Sequence, residues 1–112
     1  MRRKFGRMQK VRLSSVDWSY EPVLRAEGFL DHLRGLRGAP GRAVLLETSS
    51  VHGIGIGGPF HAVALSRDLE VTAARVVRPW RVATFRRTKY VMELPLEIEP
   101  PRVGTVLELS HV

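Results

Sequence analysis

Apolar and polar residues alternate over residues 10–16, with Val11 and Leu13 set against Arg12 and Ser14, the period-two pattern of a short half-buried strand. Asp17 and Ser19 then offer turn or cap oxygens. Glu21 suits the positive end of a helix dipole, and Pro22 suits a first helical turn. Ala26, Phe29, Leu30, Leu33 and Leu36 fall on one helical stripe, with Glu27, Asp31, Arg34 and Arg37 opposite. The spacing predicts one helix opening near Pro22 and ended by Gly38, Pro40 and Gly41. Gly28 and Gly35 weaken it by about 1 kcal/mol each relative to alanine, so packing must hold it.

Beyond Gly41 the pattern turns to strands. Residues 43–46 form an apolar run that reads as a buried strand, and residues 60–66 alternate loosely. Arg67-Asp68 marks a tight turn, with a return strand over 69–77. Over 87–94, Lys89, Val91 and Glu93 alternate with Tyr90, Met92 and Leu94. Pro95, Pro100 and Pro101 exclude a central strand in the next stretch. Residues 105–109 could close the sheet, with Val106 or Leu107 inward. The expected fold is mainly β within the α+β class: a single compact domain, an antiparallel barrel-like or strongly curved sheet, and one helix near the N-terminus.

Length allows one domain. A chain of 112 residues buries roughly 65% of its unfolded surface, enough for a core without staples. Its 44% hydrophobic and 26% charged residues exclude wholesale disorder. With no cysteine, disulfides, thiolate metal sites and cysteine nucleophiles drop out. No apolar run approaches the roughly 20 residues that span a bilayer, and Gln9, Lys10, Arg12, Ser14 and Ser15 interrupt what would follow a signal-like start. A soluble cytoplasmic protein without a membrane partner is expected. Residues 1–9 read as a basic, disordered arm and residues 10–112 as one β-rich domain.

The net charge of +7 is concentrated. Residues 1–12 hold six bases and no acid. Residues 71–92 hold another six and no acid: Arg75, Arg78, Arg81, Arg86, Arg87 and Lys89. An arm and a stripe of this kind form the electrostatic footprint of a polyanion partner, while solvated arginines on exposed strands give the same composition. Trp80, Phe85 and Tyr90 are the only rings near the stripe, so any nucleic-acid binding is expected to be weak and nonspecific. Trp18 and Trp80 read as core or rim packing rather than ligand platforms.

Gly53-Ile54-Gly55-Ile56-Gly57-Gly58-Pro59 invites a phosphate-loop reading, but a strand-like run follows where a phosphate loop needs a helix, and no Lys-Ser/Thr pair is present. Ser50-Val51-His52, Gly55, Pro59 and the apolar run after them are similar instead to the Ser-Val-His loop of the domain-of-unknown-function family numbered 192. Arg67-Asp68-Leu69-Glu70-Val71 resembles that family's hairpin, Arg78-Pro79-Trp80-Arg81 its Arg-Pro-Trp-Arg turn, and Val91-Met92-Glu93-Leu94-Pro95 its Glu-Leu-Pro strand. The resemblance spans residues 25–109 and implies a compact β-rich fold with one helix and no established reaction. His61 stands where the family usually has Asp, and Gly53, Gly57 and Gly58 where it has Thr, Arg and Phe.

Candidate chemistry is sparse. His52 and His61 flank the glycine loop, yet zinc wants at least three protein ligands, so no metal and no cofactor is expected. Ser49 or Ser50, His52 and Glu47 supply the residue types of a hydrolase, but strand neighbours point to opposite faces and no nucleophile elbow occurs. No catalytic residue is nominated. The sequence reading is a noncatalytic accessory domain binding a small ligand or protein around residues 49–61, with Ser50, His52, Gly55, His61 and Glu93 as candidates. A polyanion module using residues 1–12 and 75–89, or a small hydrolase or metal enzyme using His52, are the alternatives.

Overall fold

In the computed structural model, residues 9–26, 43–52 and 58–112 are described, Ala26 and His52 by backbone alone. Among the described residues nine strands follow one another: β1 (Gln9–Ser14), β2 (Ser19–Ala26), β3 (Ala43–Leu46), β4 (Ser50–His52), β5 (Phe60–Leu65), β6 (Val71–Val77), β7 (Val82–Thr84), β8 (Tyr90–Pro95) and β9 (Glu108–His111). Seven form one sheet in the order β6-β5-β8-β3-β2-β1-β9, and β4 and β7 pair as a separate two-stranded ribbon.

The apolar run of β3 and the largely apolar β5 and β8 take interior positions in the large sheet because both of its faces are covered. On one face Leu24, Val44, Leu46, Phe60, Ala62, Ala64, Val77 and Val91 pack beneath Val51, Ala83 and Phe85, which come from the ribbon and its exit. On the other face Val11, Leu13, Val23, Leu45, Val63, Leu65, Met92 and Leu94 form a second cluster, over which Trp18, Ile98 and Leu107 pack. The Trp18 indole N–H donates to the Glu99 carbonyl at 2.7 Å, tying that cover down.

Three features of the expected fold are corrected. Among the described residues there is no helix. Residues 19–26, where the helix was to open, are strand β2, and residues 27–42, the rest of that stretch, lie outside the described residues. Pro22 fits β2 because the β1–β2 register slips there: Val11 faces Val23 and Leu13 faces Tyr20, leaving an extra residue on β2 where a missing N–H breaks no ladder. Second, the sheet is not wholly antiparallel, since Val23, Leu24 and Arg25 run parallel to Ala43, Val44 and Leu45. Third, it is not a closed barrel. Among the described residues its edges, β6 and β9, meet only through the chain before β9, where the Val71 N–H donates to Thr105 O at 2.8 Å and Leu107 N–H to Leu69 O at 2.9 Å, around a single Glu70–Val106 bridge. The β-dominant class and the single compact domain stand.

Three turns each hold a bulky residue at positive φ: Leu69 (67°) between β5 and β6, Trp80 (67°) between β6 and β7, and Arg87 (54°) between β7 and β8. Glycine or asparagine is the usual occupant of such positions. Leu69 is compensated, because its side chain packs on the second cluster. Arg87 is exposed, with its backbone strained for no buried contact. Replacing Arg87 by Asn, which tolerates this conformation without glycine's unfolded-state freedom, is expected to stabilise the domain by roughly 0.5 kcal/mol in a urea melt.

Candidate functional site

The β8 strand crosses the centre of the sheet between β3 and β5, and its alternation sends Val91, Glu93 and Pro95 to the ribbon-covered face. Glu93 faces Val44 on one side and Ala62 on the other. Extending the row, Ala62 faces Arg75 on β6 and Val44 faces Leu24 on β2. A carboxyl group thus lies between aliphatic side chains on an interior strand of a seven-stranded sheet.

Glu93 is only 6% exposed, and its Oε2 has no hydrogen-bond partner among the described residues. Burial, with nothing to compensate it, pushes the carboxyl up from 4.5 to about 8. At neutral pH the group is therefore mostly the uncharged acid, able to donate one hydrogen bond and accept others. Arg75 is a charged group in the same row on this face of the sheet. Arg75 stands two strands away, roughly 10 Å at ordinary strand spacing, with its guanidinium 5.2 Å from the centre of the Phe85 ring. It is exposed, and it does not neutralise Glu93. Native proteins rarely leave such a group unsatisfied, and a buried, strongly shifted titratable side chain marks a candidate site.

The other candidates fall in different places. His61 occupies the opposite face, since it pairs with Leu94 while Glu93 pairs with Ala62, and its Nε2 lies 3.0 Å from Leu96 O. The sheet itself separates the two. Ser50 is exposed at the start of β4, opposite Thr84, and its backbone N–H is bound by Thr48 Oγ1 at 3.2 Å. His52 stands opposite Val82 in the same ribbon. Gly55 lies outside the described residues, as does most of the glycine loop, which joins the ribbon's β4 to β5 of the sheet. No group of three His, Asp or Glu that could hold a metal occurs among the described residues.

The basic stripe is divided among edges and turns. Arg75 is on edge strand β6, Arg78 and Arg81 are in the β6–β7 turn, and Arg86 and Arg87 are in the β7–β8 turn. Lys89 pairs with Glu47 at 2.8 Å. Trp80 departs from its expected packing role. It is 72% exposed, at the tip of a turn closed by the Arg81 N–H donating to Arg78 O at 3.1 Å. Pro79 signalled the turn but not its type, since its fixed φ suits the second position of type I and type II turns alike and only type II places the next residue at positive φ.

No family model matches the chain, and no curated protein does. Two solved structures share the fold. A Sinorhizobium meliloti protein provisionally described as a transcription regulator is 20% identical, with a TM-score of 0.66 over 89% of this chain and 92% of that one. A Novosphingobium aromaticivorans protein of unknown function is 13% identical, with a TM-score of 0.65 over 88% of this chain and 83% of that one. At these identities the likeness is one of fold alone. The chain is a β-rich single domain of that shared architecture, and among the described residues no helix is long and apolar enough to cross a membrane.

Proposed function

We propose that this domain is a noncatalytic binding module whose site is the Glu93 carboxyl on the ribbon-covered face, taking a small ligand with an apolar body and an amidine- or amide-like donor edge. The unpartnered, buried Oε2 carries the reading. Val44, Ala62 and Val91 around it suit the apolar body, and a donor edge would satisfy the carboxyl that the fold leaves bare. An amidinium would bind the ionised form through two parallel hydrogen bonds and drive off the proton. Among the described residues, Ser50 is on the outer ribbon and His61 is across the sheet from Glu93, so neither meets the carboxyl.

Benzamidine and benzamide are suitable probes, followed by amide chemical shifts. Benzamidine is expected to perturb β3, β5 and β8 around Val44, Ala62 and Glu93, to bind more tightly at pH 8.5 than at pH 6, and to lose that pH dependence in Glu93→Gln. Shifts confined to other surfaces, or the same response in Glu93→Gln, would refute the site.

A further inference from the structure

The Arg78–Arg81 turn is unrelated to Glu93 and breaks two local rules at once. A type II turn calls for glycine or asparagine at its third residue, and Trp80 stands there with φ 67°. A large aromatic ring normally recovers such a backbone penalty by burial, and Trp80 is 72% exposed. Leu69, in the same conformation, is packed against the core. Trp80 thus has backbone strain without a packing return, the signature of a residue kept for contact with something else.

Its surroundings indicate the partner. The turn brings the Arg78 and Arg81 backbones within about 7 Å of each other at its base, next to Trp80, and both residues are exposed. The next turn presents Arg86 and Arg87, also exposed, and no acid occurs anywhere from 71 to 92. An exposed planar apolar ring on a turn flanked by two cationic residues matches a base with its adjoining phosphates. An acidic peptide would answer the charges and leave the ring unmatched. We propose that this turn is a contact site for single-stranded nucleic acid, in which Trp80 stacks on one base and Arg78 and Arg81 hold the adjoining phosphates.

The test uses the full chain and an oligo(dT) of about 12 nucleotides, carrying a fluorescent label and followed by anisotropy at low salt. Trp80→Gly removes the ring and relieves the turn, so the melting temperature should not fall, while binding to the oligonucleotide weakens by about tenfold. Heparin, which offers anions without bases, should bind both proteins equally. Replacing Arg78 and Arg81 together by Ser should weaken both ligands and flatten the salt dependence. Wild-type affinity of Trp80→Gly for oligo(dT) would overturn the proposal. So would a Trp80-dependent association with phosphatidylserine vesicles in the absence of any with oligo(dT). A melting temperature lowered by several degrees in Trp80→Gly would likewise contradict it, by assigning the ring a structural role.

Discussion

Raising the pH from 5 to 9 is expected to destabilise this domain, and Glu93→Gln is expected to remove most of that loss. Glu93 has its carboxyl pushed up from 4.5 to about 8 by burial. Between those two values the folded chain holds a proton that the unfolded chain releases, so stability falls with pH by up to about 1.4 kcal/mol per unit. The contribution is fully present below about pH 4.5, is lost progressively towards pH 8, and is constant above it. Over the whole window the loss reaches roughly 4 kcal/mol, a large share of a small domain's stability. Gln keeps the shape without titrating. The two proteins should match within about 1 kcal/mol at pH 5, and Glu93→Gln should be the more stable at pH 9. Urea midpoints at each pH check this, and parallel profiles for the two proteins would show that Glu93 ionises as freely as in the unfolded chain.

The second large effect is expected at Phe85. Its ring is 5% exposed and packs in the cluster that contains Val44 and Ala62, the two residues flanking Glu93. Among the described residues the ribbon strands contribute Val51 and Ala83 to that cluster, neither with an aromatic's area. Phe85→Ala should therefore destabilise by about 3–4 kcal/mol, through lost transfer energy and an unfilled cavity. It should also admit water above β8 and shift the pH dependence of stability to lower pH. A cost below about 1 kcal/mol would mean that the ribbon is held down by other contacts.

Strands β1, β3, β5, β6 and β8 were legible because each contains an apolar run or an alternation long enough to read. The helix reading failed on Pro22, whose fixed φ is as acceptable at a strand irregularity as in a first helical turn. It failed also because Val23 and Leu24 point to opposite buried faces, so β2 shows no alternation. The parallel β2–β3 pairing joins segments separated by residues 27–42, and no local pattern encodes such a contact. The ribbon strands β4 and β7 have three residues each, too few for a period, and β4 runs straight into the glycine loop. Glu93 was legible as a candidate only through its strand motif. In sequence it falls in step with Lys89 and Val91, like a residue on a half-solvated face, and only the ribbon overhead turns that face inward.

The most direct measurement of the central claim is a carbon-13 titration of the Glu93 side-chain carboxyl in the folded protein, with its resonance assigned by its absence in Glu93→Gln. A midpoint near 8 is predicted, moving down as benzamidine binds. A midpoint near 4.5, unmoved by benzamidine, would contradict the account, because it would describe a solvated or already partnered carboxylate with nothing left to offer a ligand.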